Sequence, residues 1–162
     1  MNDDSIIDEG DFTASISNLP LVSIDLLVEN TDGSILLGKR ENSPAKNYWF
    51  VPGGRIRRME NFKSAFLRIA NLELGREISL EESQFHGVFQ HMYENSAFSE
   101  DVGSHYVSIA LRIKIEKLEL ESIPQIQHRE YRWFRLEEIK NDTGVHARTK
   151  EFFFGDEGIR PQ

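Results

Sequence analysis

Glu73 sits at the end of an apolar stripe, and its sequence neighbours suggest metal and phosphate chemistry. Phe62, Ala65, Phe66, Ile69 and Ala70 repeat at the i, i+3, i+4, i+7, i+8 spacing of one helix face, and the same rule continues to Glu73. A carboxylate in that place is either a frayed solvent edge or a placed ligand. Just upstream, Trp49-Phe50-Val51 runs into Pro52-Gly53-Gly54-Arg55. The two glycines carry no side chain, so their backbone oxygens can come close to a metal or a phosphate. A hard cation such as Mg²⁺ usually takes few oxygen ligands from protein and fills its octahedron with phosphate and water. The Gly53 carbonyl and Glu73 would supply a thin share. The amide oxygen of Gln127 is a third candidate, although Gln127 taken alone reads as a surface loop residue.

Cations and bases come next. Arg40, Arg55 and Arg68 each offer a planar, permanently charged fork for phosphate oxygens. Arg68 has a second reading, a structural ion pair with Glu60, while Arg57 and Arg58 read as solvated loop charges. The chain has five histidines, His86, His91, His105, His128 and His146. A histidine near its ordinary pKa is the natural general base at neutral pH, and spacing alone does not select one of the five.

These groups need elements to position them. Asp11 or Thr13 can cap a short helix that Pro20 closes. Leu21 to Glu29 alternates, with Val22, Ile24, Leu26 and Val28 on one strand face and Ser23 and Asp25 on the other. Asn30 to Gly33 is a turn, and Ile35 to Arg40 returns as the second strand of a hairpin. Phe85 to Tyr93 and His105 to Glu116 read as strands; in the second, Tyr106 lies opposite the apolar face and is available to a ligand. Gln125 to His128 is a polar loop before the strand Tyr131 to Phe134, and Leu136 to Lys140 and His146 to Phe154 read as closing helices. Strands mixed with a few helices indicate an α+β chain or an α/β/α sandwich.

The bulk properties narrow the partners. At 162 residues the chain suits one domain, residues 11 to 162, after an acidic tail over residues 1 to 10. It has no apolar run long enough to span a membrane, and its start lacks the basic-then-apolar order of a secretory signal. Without cysteine there is no disulfide framework and no thiolate chemistry. All of this fits the cytoplasm. A net charge of −8 argues against broad nucleic-acid binding, which needs a basic surface. It leaves room for a small anionic ligand held by a few local arginines.

Gly54, Glu60, Arg68, Glu73 and Gly75 fall at the offsets of the Nudix box, and the chain resembles the Nudix hydrolase family. That family usually has glutamate after the arginine, here Ile69, and two adjacent glutamates before the last glycine, here Leu72 and Glu73. Beyond the box, residues 11 to 155 are similar to the GDP-mannose mannosyl hydrolases, an atypical Nudix branch that has also lost box glutamates. The runs that carry the similarity include Leu36-Leu37-Gly38-Lys39-Arg40, Gly87-Val88-Phe89-Gln90-His91, His105-Tyr106-Val107 and Gln127-His128. The resemblance implies the Nudix fold, an α/β/α sandwich around a mixed β-sheet. It implies one Mg²⁺ on the Gly53 carbonyl, Glu73 and Gln127, with His128 as general base and Arg40, Arg55 and Arg68 on the diphosphate. It further implies Asp25, Tyr106 and His91 as substrate contacts, and a homodimer.

The branch attacks the anomeric carbon of a nucleotide sugar, releasing GDP and an inverted sugar. A nucleoside diphosphate is already a good leaving group, so its charge needs metal and arginines rather than a proton. One base for the water remains necessary. GDP-mannose is the expected substrate, with GDP-glucose second. Two other readings stand beside this one: a Nudix pyrophosphohydrolase that splits the diphosphate of a nucleotide sugar, and a non-catalytic module that binds one.

Overall fold

The computed structural model describes residues 7–162. Helix α1, Glu9–Ile16, precedes strands β1 (Leu21–Glu29), β2 (Ile35–Arg40), β3 (Trp49–Phe50) and β4 (Gly53–Arg55). Helix α2 (Phe62–Leu74) leads to β5 (Ser83–Tyr93), β6 (Ser104–Lys114) and β7 (His128–Phe134), and α3 (Leu136–Asn141) and α4 (Ala147–Phe154) follow. All seven strands form one mixed sheet, with β1 parallel to β6 and the other pairs antiparallel.

The hairpin of β1 and β2 opens almost at once. The two strands share the register pair Glu29↔Ile35, and the segment Trp49–Arg55 then fills the gap between them. Its first half pairs with β2 (Gly38↔Phe50) and its second half with β1 (Asp25↔Gly53). Leu26 N donates to the Pro52 carbonyl at 2.8 Å where the segment crosses over. A side chain at Gly53 would collide with the Asp25 carboxylate and lie 2.8 Å from the Ile24 carbonyl, so this crossing needs glycine.

Each sheet face carries its own core. Ile24, Leu26 and Val28 join Leu111 and Ile113 beneath α2, whose Ala65, Phe66, Ile69, Ala70 and Leu74 point inward. On the other face Leu27, Leu37, Phe50, Phe89 and Ala110 pack with Phe134, Ile139 and Phe152 from the C-terminal part of the chain. The expected alternation of β1 is therefore only half of its pattern. As an interior strand covered on both faces it buries residues 23 to 28 without a break, the behaviour of a strand between two helix layers.

Several local expectations shift. Helix α1 starts inside the stretch expected to be an acidic tail, and Asp8 caps it in place of Asp11 or Thr13, accepting from Asp11 N at 3.0 Å. Residues 1–6 of that tail lie outside the described residues. Phe62 is 57% exposed and does not belong to the apolar stripe, because it occupies the first position after the cap Asn61. His128 opens β7 instead of closing a loop, and His146 caps α4, accepting from Arg148 N at 3.1 Å. Among the described residues no helix is long and apolar enough to cross a membrane.

Candidate active site

Two structural details place Glu73. Helix α2 is fixed at both ends, by Asn61 accepting from Ser64 N at 2.9 Å and by Gly75 in the left-handed conformation. Its Ile69 lies directly under Gly54, where an added Cβ would be 3.3 Å from the isoleucine side chain. Glu73 is one turn further along the same face, so the helix brings its carboxylate toward the Gly53–Gly54 backbone. Glu73 is 3% exposed and is a placed group, not a frayed edge.

Around it stands a buried polar cluster. Gln127 Nε2 donates to Glu73 Oε1 at 2.6 Å, and His128 Nδ1 lies 3.5 Å from Glu73 Oε2. The Tyr131 hydroxyl is 3.2 Å from His128 Nδ1 and 3.3 Å from the Pro124 carbonyl. Burial raises the Tyr131 pKa, with the Glu73 charge adding to the effect, so its hydroxyl keeps its proton. His128 is fully enclosed because β2 contributes Gly38 beside it; a Cβ there would meet the His128 side chain at 2.5 Å. Two atoms of the cluster, Glu73 Oε2 and His128 Nε2, are buried without a hydrogen-bond partner among the described residues. Unpaired buried polar atoms are costly and call for a water, ion or ligand. A carboxylate oxygen, a glutamine amide oxygen and a glycine carbonyl fit a hard cation.

Next to the cluster opens a cavity of about 270 Å³, walled in part by β1, β4, β5 and β6, with Gln127 on its rim. Asp25, Tyr106, Arg40, Arg55, His91 and Gly53 all line it. Asp25 is buried beside Ser23 Oγ, which donates to it at 3.1 Å, and Ser108 Oγ, which also donates. Burial lifts its pKa to about 6 despite those two hydroxyls and the charge of Arg40. Arg40 Nε donates to the Pro44 carbonyl at 2.8 Å, and Arg55 stacks 4.4 Å from the centre of the Phe12 ring. Neither guanidinium has an acidic partner among the described residues, and partial burial, with Arg57 and Arg68 close by, lowers the Arg55 pKa.

Some candidates lie elsewhere. Arg68 donates to both Glu60 oxygens, at 2.7 and 2.8 Å, and to the Arg55 carbonyl at 2.9 Å. It is the ion-paired arginine of the alternative reading and stands behind the cavity wall. Glu73 and His128 do not themselves line the cavity; Gln127, which does, is bonded to Glu73. Of the five histidines, His86 contacts the Phe152 carbonyl at 2.6 Å and His105 faces Gln90, away from the cluster. The structure adds residues that the sequence did not assign to the site: Phe12 and Phe98, whose rings meet edge to face at 5.3 Å and which line the cavity, and Tyr93, which meets Tyr106 in the same way at 6.2 Å. Parity along β6 could have flagged Ser108 beside Tyr106; nothing local could have flagged Phe12 or Phe98.

A sheet split between its first two strands, with a glycine-rich segment inserted and a helix closing over it, defines a Nudix-type fold. The model of the NUDIX domain matches residues 19–154, and the chain belongs to the Nudix family, whose hydrolases generally use a divalent metal ion. Over 115 residues it is 36% identical to the low-salt glycan biosynthesis protein Agl8 of Haloferax volcanii, covering 71% of this chain and 72% of that protein. Among solved structures it resembles a MutT Nudix hydrolase from Burkholderia pseudomallei, with a TM-score of 0.65 and 24% identity over 83% of this chain and 96% of that one. The NUDIX domain of Shewanella oneidensis NrtR, solved with ADP ribose, matches with a TM-score of 0.60 and 16% identity over 90% and 96%.

Proposed function

We propose that the chain is a Mg²⁺-dependent hydrolase of a nucleotide sugar, GDP-mannose first and GDP-glucose second. It releases GDP and free sugar by inverting attack of water at the anomeric carbon. The observation that carries this reading is the scarcity of carboxylates around Glu73. Ile69 is buried under Gly54, Leu72 is 39% exposed, and Glu60 is held by Arg68. Among the described residues no group of three or more His, Cys, Asp or Glu could gather on a metal. Attack on phosphorus commonly draws on several carboxylates. Departure of a diphosphate from carbon needs its charge neutralised and one base for the water.

Gly53, Glu73 and Gln127 would hold the ion, which when bound would neutralise the diphosphate as it leaves. Arg40 and Arg55 line the cavity without acid partners among the described residues and take the phosphate oxygens. Arg68 acts one step back, fixing the Arg55 backbone, in place of the direct contact implied by resemblance. His128 accepts the proton of the attacking water at Nε2, the atom without a hydrogen-bond partner among the described residues. Asp25, Tyr106 and His91 contact the substrate from the cavity wall. The reading includes a single ion, a homodimer and a cytoplasmic setting. A relative named for glycan biosynthesis supports a sugar-linked substrate, since glycan assembly draws on activated sugars.

The test is turnover of GDP-mannose with Mg²⁺ in ¹⁸O-labelled water. Label in free mannose, with unlabelled GDP, is the expected result. Label in GMP or mannose 1-phosphate moves the attack to phosphorus and overturns the reading. Absence of any product leaves a binding module.

A further inference from the structure

The cavity wall contains a buried pairing between His91 and a residue that has no part in the reaction above, Glu151. His91 on β5 is 2% exposed, with its ring among those of Phe50, Tyr93 and Phe152, whose centres are 6.3, 6.4 and 5.0 Å away. Its Nε2 is buried without a hydrogen bond among the described residues, and Glu151 Oε2 of α4 is turned toward it at 3.8 Å. Glu151 is held in turn: its other oxygen accepts from Arg148 Nη1 at 2.7 Å, and Arg148 Nη2 donates to the Met92 carbonyl at 3.2 Å. Arg148 thus ties α4 to the strand residue next to His91 and determines where the carboxylate sits. Burial, with Arg148 and His146 adding to it, lowers the His91 pKa to about 3. The ring is therefore neutral at pH 7 and carries one proton, on one nitrogen or the other.

We infer that Glu151 is a positioning residue that keeps the His91 proton on Nε2, so that Nδ1 faces the cavity as a hydrogen-bond acceptor. A carboxylate only accepts. With the proton on Nδ1, the lone pair of Nε2 would face that carboxylate oxygen; with the proton on Nε2 the interaction is attractive, and Arg148 on the other oxygen reduces the preference without reversing it. At 3.8 Å the pair is longer than a hydrogen bond, so the preference is electrostatic. The consequence is a rule for the ligand. The group that meets His91 must donate, as a sugar or ribose hydroxyl or a base N–H does. Diphosphate oxygens, which only accept, belong on Arg40 and Arg55 instead. The choice of ligand rests on the nucleotide-sugar reading; the position of the proton does not.

The first experiment reads the tautomer of His91 by long-range ¹H–¹⁵N correlation in the ligand-free protein at pH 7. A protonated Nε2 is expected, and a protonated Nδ1 overturns the inference whatever the enzyme turns out to hydrolyse. In Glu151→Gln the charge is lost and the amide oxygen stays on Arg148, which turns the NH2 donor toward His91 Nε2, so the proton moves toward Nδ1. In Glu151→Leu the tautomer is released to a mixture, and KM for GDP-mannose rises about five- to tenfold with kcat little changed, the size of one lost hydrogen bond. A tautomer unchanged in both the Leu and the Gln variant overturns the role of Glu151. Should the Leu variant not fold, the wild-type tautomer and its loss in the Gln variant decide the matter. If GDP-mannose is not turned over while Nε2 carries the proton, the functional reading fails and the positioning role stands.

Discussion

At the scale of single residues, the site places an acid where burial penalises its charge. Asp25 has a folded pKa of about 6 against an ordinary value of 3.8, so the folded state holds its proton more tightly than the unfolded chain does. Its contribution to stability is fully present below pH 3.8 and is lost as pH rises through 6. Asp25→Asn should remove that loss. Its stability relative to the parent is expected to rise between pH 4 and pH 7.5 by an amount on the order of 2–3 kcal/mol, seen as a higher relative Tm, while turnover falls because the cavity loses an anion. A melting series over that range checks it; parallel pH curves would mean that Asp25 is ionised freely in the fold. His128 makes the opposite trade, since its value lies in Nε2 rather than in packing. His128→Gln, close in size, should lower kcat by about 10²–10⁴ with little change in KM. Steady-state kinetics at saturating substrate reads this, and a pure KM effect would remove His128 from the role of base.

At the scale of elements, the decisive feature is the segment Trp49–Arg55 threaded between β1 and β2. Pairing with both strands fixes its path to the residue, and the tight point is Gly53 against Asp25 and the Ile24 carbonyl. Gly53→Ala has no room to relax, because the obstructing atoms are backbone and a buried, hydrogen-bonded carboxylate. A loss of roughly 1–3 kcal/mol is expected from overpacking, together with a loss of activity larger than the stability change explains, since the shifted carbonyl belongs to the ion site. Denaturant unfolding alongside kinetics separates the two. Gly38→Ala pushes into the His128 ring by the same logic, and links β2 to the proposed base.

At the scale of the whole molecule, the C-terminal segment fastens the second helix layer. Arg160 donates to the carbonyls of Glu151, Phe152 and Gly155 at 3.2, 3.1 and 3.0 Å, lies 5.0 Å from the Phe89 ring centre, and reaches His86 at 3.2 Å. Ile159 pairs with Val88 on the outer edge of β5, covering part of an edge strand that would otherwise present unpaired backbone. The same helix carries Glu151, so the segment supports the cavity wall from outside. Arg160→Ala should cost about 1–3 kcal/mol, seen as a Tm lower by several degrees, with KM more affected than kcat. An unchanged Tm would show that the three carbonyls are satisfied equally well by water.

How much of this was legible beforehand depends on range. Sequence by itself determined what periodicity and backbone chemistry encode: the hairpin, the box helix with Glu73 on its inner face, the β6 strand that turns Tyr106 away from the α2 core, and the mix of strands and helices of an α+β architecture. Each follows from spacing within some fifteen residues, where helix and strand geometry leave little freedom. It could not decide between the two readings of Arg68, because Glu60 and a phosphate offer the same fork of oxygens and only the packed distance chooses. Nor could it select among five histidines, place Phe12 and Phe98 over one cavity, or bring Glu151 to His91 across sixty residues of chain. Those contacts depend on how helices and strands far apart in sequence are packed. The tertiary structure decided them, since a buried charge or an open ring nitrogen takes its meaning from the neighbours that the fold supplies.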